Sequence, residues 1–153
     1  MINSETREIL EAIDAGNEAL ESMRSARKYL NSARTWGIMD IFGGDFLTNV
    51  VKHSKMDHAR EYLERANRDL ERFTRELRDV PAEYLKLDAG GFLTLADFMF
   101  DGLLADVLVQ SKINEARQQL DRMIPRTEDA IRKLKVCLQY HCIPVSLVFF
   151  PSN

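Results

Sequence analysis

One short stretch of the chain carries side chains that could hold a metal ion. Imidazole and carboxylate ligands suit zinc, manganese or iron, and within nine residues the chain has His53, Asp57, His58 and Glu61. On a helix, His53 and Asp57 share one face at i,i+4, while His58 and Glu61 point outward. His53 and Asp57 are therefore a candidate site for a divalent metal. The alternative is a solvated or salt-bridged surface pair.

A second candidate is acidic. No Lys or Arg occurs from Leu87 to Ser111, yet Asp97 and Asp101 lie four residues apart there. Carboxylates buried together can act as a general acid and base, whereas helix capping and exposed polar faces are the structural alternative. Asp40 and Asp97 are the pair of most interest, because an internal repeat described below makes them equivalent. They are a candidate ligand-binding pair or a structural polar pair.

A third pattern is Cys137 with His141, which could supply half a zinc site. Two further ligands have no evident source, and packing in a core is the alternative. The chain has no P-loop, no Gly-x-Gly-x-x-Gly, no Gly-x-Ser-x-Gly and no Cys-x-x-Cys. It also lacks the Glu-x-x-His of di-iron bundle proteins. These absences favour a non-enzymatic role, with no catalytic residue and no bound organic cofactor.

Length and charge restrict the class of protein. A chain of 153 residues is expected to form one domain. The formal net charge is −3, which argues against a surface for nucleic acid. The start MINSETREIL has no basic and apolar signal pattern, and two cysteines give no disulfide framework. We therefore expect a cytoplasmic protein.

Hydrophobic periodicity predicts the elements that would position these residues. Apolar side chains recur at spacings of three and four from Ser4 to about Arg34, from Met56 to Val80, and from about Gly102 to His141. The second helix should end at Pro81. The third keeps its phase through Pro125, so we expect one kinked helix there rather than a new start. In the first helix, Gly16 and alanines seven residues apart predict close packing against a neighbour.

Part of the chain matches itself at an offset of 57 residues. The 27 residues from Asp40 and the 27 from Asp97 are identical at nine positions, Ala59 with Ala116 and Leu63 with Leu120 among them. The second copy replaces both histidines, His53 and His58, but keeps the packing pattern. We interpret this match as a duplicated unit covering about 36–80 and 93–137, with copies related by a pseudo-twofold axis.

The strings WGIMDIFGG and KHSKMDHA resemble segments of an uncharacterised bacterial all-helical family. The resemblance covers residues 36–79. It implies an all-helical fold and carries no assigned activity.

The end of the chain is apolar. Residues 143–150 read IPVSLVFF, and residues 136–153 contain no Asp, Glu, Lys or Arg. Eight residues are too few to span a bilayer, and two prolines oppose a helix, so we expect an extended tail. Docking in a groove of the chain or of a partner protein is the main expectation, and contact with a membrane surface is a minor one.

Together these patterns predict an all-α fold: an antiparallel bundle of three long helices, with short apolar helices near 36–42 and 93–100. Residues 1–142 form the bundle domain and 143–153 the tail. The expected function is a non-catalytic helical module that assembles with itself or another protein. The alternative is a bundle that binds a metal or small ligand, either as a binding protein or as an enzyme. The candidate interaction residues are Trp36, Leu147, Phe149 and Phe150.

Overall fold

Three long helices make up most of the chain that the computed structural model describes, which comprises residues 2–39, 47–81, 84 and 110–142. Helix α1 spans Ser4–Met39, α2 spans Leu47–Asp79 and α3 spans Gln110–Cys142. No strand occurs within those ranges. The predicted all-α class is confirmed.

Local chemistry explains the start of α1 and the end of α2. The Oδ1 atom of Asn3 accepts a hydrogen bond from the backbone N–H of Thr6 at 2.7 Å. This bond satisfies a donor that the first helical turn leaves without a partner. α2 ends two residues before Pro81, whose ring cannot continue a helix. The predicted start at Ser4 and end at Pro81 are confirmed.

α3 passes through Pro125 without interruption. A proline inside a helix removes one hydrogen bond and crowds the preceding turn, at a cost of about 3 kcal/mol. On either side of it, α3 buries Met123, Ile124 and Thr127. Burial of a helix face is the main source of helix stability in proteins and offsets this cost. The predicted continuity of the helix through Pro125 is confirmed, and the kink stays a prediction.

The structure differs from the prediction near residue 36. Residues 36–39 are the last residues of α1, so Gly37 lies inside a helix and not in a turn. A glycine inside a helix costs about 1 kcal/mol relative to alanine, which a helix of 36 residues can absorb. The prediction of a separate short helix beginning at 36 is wrong. The second predicted short helix, at 93–100, and the tail at 143–153 lie outside the described residues.

The predicted seams form the core. On α2, and at the residue just after it, the seam side chains are at most 5% exposed: Ala59, Leu63, Ala66, Leu70, Phe73, Leu77 and, after the helix end, Val80. On α3 the seam side chains from Ala116 to Leu134 are at most 1% exposed: Ala116, Leu120, Met123, Thr127, Ala130 and Leu134. Cys137, the next seam position, is half-buried. Helical periodicity alone identifies these positions, because residues three and four apart share one face.

α1 packs against both other helices, and the side of α1 that meets them carries small residues. A Cβ atom added to Gly16 would lie 2.8 Å from Phe73 Cε2 of α2 and 2.8 Å from Ile131 Cγ1 of α3. The close-packing role predicted for Gly16 is confirmed. The alanines of this side are fully buried and belong to the chain's own core: Ala12, Ala15, Ala19 and Ala26.

Side-chain pairs between helices define their directions. Glu18 of α1 accepts a hydrogen bond from Arg72 of α2 at 2.6 Å, and further along α1 Tyr29 stacks on Tyr62. As the α1 number rises, the α2 number falls, so the two helices are antiparallel.

Side-chain pairs between α1 and α3 define the direction of α3 in the same way. Arg24 of α1 donates to Glu128, and Asn31 accepts from Arg117 Nε at 2.7 Å. α3 is therefore also antiparallel to α1, and α2 and α3 run parallel to each other.

In this arrangement, nearly equivalent positions of the two predicted repeat copies lie beside the same residue of α1. Gly16 meets Phe73 and Ile131, which are 131 − 73 = 58 residues apart, one more than the repeat offset. The equivalent leucines Leu63 and Leu120 are both buried. A duplicated unit would place its two copies beside α1 in this way. The duplication itself stays a prediction.

Replacing Thr127 with valine should raise the free energy of unfolding by about 1 kcal/mol. Thr127 is fully buried, and its hydroxyl has no hydrogen-bond partner in the described part of the chain. A buried unpaired hydroxyl keeps its desolvation cost, and valine has nearly the same shape without that cost. Urea unfolding followed by circular dichroism measures the change.

Thr74 is the matched control for this substitution. It is 3% exposed, and its hydroxyl donates to the carbonyl oxygen of Glu71 at 2.8 Å. Thr74→Val should therefore give no gain or a loss of up to about 1 kcal/mol. A loss of stability in Thr127→Val equal to that in Thr74→Val would contradict the prediction.

Candidate functional site

The structure describes few of the residues predicted to carry function. Asp57 lies on α2 with its side chain exposed, and His53 lies one turn earlier in the same helix. The two are thus i,i+4 in one helix, as predicted. His53 and Trp36 belong to helices, but the structure describes only their backbone and not their side chains. The other predicted positions lie outside the described residues: Asp40, Asp97, Leu147, Phe149 and Phe150.

His58 and Glu61 lie on the outer surface, as the helical positions predicted. His58 Nδ1 lies 3.6 Å from Glu61 Oε2, and the two side chains are 58% and 79% exposed. A polar contact between side chains this exposed contributes little free energy. The imidazole also meets the edge of the Tyr29 ring, with centroids 6.4 Å apart.

Tyr29 of α1 and Tyr62 of α2 form a stacked aromatic contact between helices, called here the tyrosine pair. Their ring centroids are 4.9 Å apart and the ring planes differ by 25°. Burial, together with the neighbouring Tyr62 phenol, raises the pKa of Tyr29 above its ordinary value, because both disfavour the phenolate. Tyr62 also lines a surface cleft of about 220 Å³ with His58, Glu61 and Arg65. Sequence reasoning missed this pair, since each tyrosine lies outside the apolar seam of its own helix.

At the other end of the α1–α2 contact, three carboxylates converge. One oxygen from each of Glu8, Glu76 and Asp79 lies within 4.8 Å of the others. Carboxylate oxygens are ligands for hard divalent cations, and clusters of exposed acidic groups are also common on protein surfaces. Glu8 lies 3.5 Å from the guanidinium of Arg7, which supplies one compensating charge. Sequence reasoning missed the cluster because its members come from two helices.

Cys137 has a structural contact. Its Sγ atom lies 3.1 Å from the carbonyl oxygen of Tyr84, to which the thiol donates, and the residue packs half-buried against the core. This contact supports the packing alternative over a zinc ligand. The side chain of His141 lies outside the described side chains.

A shallow groove follows the contact between α1 and α3. It has a volume of about 430 Å³, and its lining combines the apolar Leu20, Ile131 and Val136 with five polar or charged residues. Val136 is 44% exposed, and Tyr140, one turn further along α3, is 74% exposed. We call Val136 and Tyr140 the α3 outer patch. Most large apolar side chains of the described residues are buried, so this patch is unusual for the chain.

None of the described helices has the length and apolar character required to cross a membrane. Comparison with protein-family models, with curated proteins and with solved structures finds no match to the chain. The resemblance of residues 36–79 to a bacterial helical family therefore stays a prediction.

Proposed function

We propose that the chain is a non-catalytic helical module that assembles with a second copy of itself or with another protein. The observation that carries this proposal is the α3 outer patch. Val136 and Tyr140 lie at i,i+4 on one face of α3, and both side chains are exposed to solvent. Full burial of an exposed apolar side chain contributes about 1.5–3 kcal/mol, and Val136, already partly buried, would contribute less.

The sequence extends this apolar surface. No Asp, Glu, Lys or Arg occurs in residues 136–153, and residues 143–150 are almost wholly apolar. Interfaces are depleted of charge at their centres and enriched in aromatic side chains. A stable interface buries about 800 Å² on each partner, so the patch alone is too small. The tail residues Leu147, Phe149 and Phe150 supply the remaining apolar area in this proposal.

Native mass spectrometry and sedimentation velocity at micromolar concentration test the proposal. We expect an oligomer for the natural chain. We expect a shift towards monomer when Leu147 and Phe149 are both changed to serine, and a smaller shift for Val136→Ser with Tyr140→Ser. Ile2→Ser is the matched control, because Ile2 is an apolar side chain 68% exposed and outside the patch. A monomeric natural chain, or an oligomer unchanged in both double variants, would contradict self-assembly through this surface.

A second candidate function is binding of a divalent metal or small ligand. α2 contains both His53 and Asp57 at i,i+4, which is the spacing that two ligands on one helix require. Asp40 and Asp97 are the other residues assigned to this candidate function. A bound metal stabilises the folded state by mass action. Adding zinc, manganese, iron or magnesium should then raise the unfolding temperature, and His53→Ala should abolish the rise.

Asp79→Asn separates this site from the acidic cluster at the far end of α2. It removes one of the three converging carboxylates and leaves His53 and Asp57 unchanged. A temperature rise that survives His53→Ala but is lost in Asp79→Asn would assign the metal to the cluster. The absence of any rise with all four metals would reject a metal-binding function.

A further inference from the structure

The tyrosine pair joins two consecutive helices through residues that are 62 − 29 = 33 positions apart in the sequence. Tyr29 belongs to α1 and Tyr62 to α2, and their rings stack with centroids 4.9 Å apart. Tyr62 is 37% exposed, so a reagent in solution can reach it. The sequence has only two other tyrosines, Tyr84 and Tyr140.

We propose that Tyr29 and Tyr62 are a modification site, at which a one-electron oxidant of the peroxidase class links α1 to α2 through a carbon–carbon bond between the two rings. This inference is independent of the proposed assembly function.

Coupling of the two rings is a two-electron oxidation. Each phenol loses its O–H proton and one electron, and the unpaired electron is shared with the ring carbons beside the hydroxyl. Two such carbons, one on each ring, combine to form the new bond, and the hydrogen on each then moves to the phenol oxygen. The product has lost two protons and two electrons in total. Hydrogen peroxide accepts them through the peroxidase and is reduced to two molecules of water.

Geometry favours this pair over coupling between molecules. Two groups held in contact by a fold react as if each were present at very high local concentration. The stacked rings of Tyr29 and Tyr62 meet this condition, because both are attached to packed helices.

The other tyrosines are too distant from Tyr29 and Tyr62 to couple with either of them within one molecule. Tyr84 donates a hydrogen bond to Glu5 at 3.2 Å, and Glu5 lies 24 residues from Tyr29 along α1, or roughly 36 Å. Tyr140 lies beyond Ile131 on α3, and Ile131 is already level with Gly16 of α1. Both tyrosines are therefore near the opposite end of α1 from Tyr29.

The experiment treats the full chain with a haem peroxidase and hydrogen peroxide at low protein concentration. We expect the monomer to lose the mass of two hydrogen atoms. Digestion with trypsin should then give one linked product of residues 29–34 and 61–65, each of which contains a single tyrosine. The linked chain should unfold at a higher temperature than the untreated chain, because the bond closes a loop between two helices.

Three variants test the assignment. Tyr29→Phe and Tyr62→Phe should each abolish the mass loss, whereas Tyr140→Phe should keep it and remove covalent dimers formed through exposed Tyr140. A mass loss that persists in Tyr62→Phe, or a linked product from other tyrosines, would overturn the proposal. An unchanged monomer mass for the natural chain would also overturn it, and this result does not depend on whether the variants fold.

Discussion

Replacing Gly16 with alanine should lower the free energy of unfolding by up to about 2 kcal/mol, although alanine is the better helix former. In an open helix position this substitution gains about 1 kcal/mol. Here the added Cβ atom would lie 2.8 Å from both Phe73 Cε2 and Ile131 Cγ1. Overpacking of a core costs about 1–3 kcal/mol, and Phe73 is fully buried with little room to move. Urea unfolding of the variant measures the sign directly.

Two further variants isolate the cause. Asn17→Ala is the neighbouring control, because Asn17 is exposed and gains helix propensity without a clash. It should be neutral or stabilising by about 0.5 kcal/mol. In a Phe73→Leu background the loss caused by Gly16→Ala should shrink, since leucine lacks the ring atoms that the new Cβ meets. Stabilisation of the natural chain by Gly16→Ala would show that the three helices do not converge at this point.

Truncating either Leu63 or Leu120 to alanine should lower the free energy of unfolding by about 2–5 kcal/mol. Leu63 of α2 is 4% exposed and Leu120 of α3 is fully buried. The loss combines the transfer of the side chain from water with the cavity that it leaves. Domains are stable by only about 5–15 kcal/mol in total, so either variant removes a large fraction of the stability. Thermal and urea unfolding of both variants measure the two losses.

The repeat supplies matched controls for these variants. Glu61 precedes Leu63 by two residues, and its repeat equivalent is Gln118, since 61 + 57 = 118. Both side chains are exposed, so Glu61→Ala and Gln118→Ala should change stability by no more than about 0.5 kcal/mol. A loss below about 1 kcal/mol in Leu120→Ala, beside a large loss in Leu63→Ala, would contradict the equal burial of α2 and α3 against α1.

Short-range patterns predicted most of the described fold. The buried face of α2 follows from spacings of three and four residues, and its end follows from Pro81. The prediction near residue 36 was wrong for a physical reason. The first helix was expected to end at about Arg34, but a single glycine such as Gly37 costs only about 1 kcal/mol inside a helix, and α1 continues to Met39. The local cost of a helix-breaking residue does not show whether the helix continues, because that depends on the stability of the rest of the helix.

The side-chain clusters on the described surface were harder to predict than the helices. His58 and Glu61 are exposed on α2, as their helical positions predicted. Neither the tyrosine pair nor the cluster of Glu8, Glu76 and Asp79 was predicted, because each combines residues from α1 and α2. A pattern within one helix does not specify which residues of a second helix pack beside it.

The sequence by itself determined the helices of this protein and the face that each one buries, because a helix repeats every 3.6 residues whatever its surroundings. It also determined that Gly16 needs a close neighbour. The tertiary structure decided which side chains meet across the helices. α2 and α3 both run antiparallel to α1, and this common direction brings Tyr62 onto Tyr29 and brings Phe73 and Ile131 together over Gly16. Such contacts depend on the packing of whole helix surfaces, which no local spacing specifies.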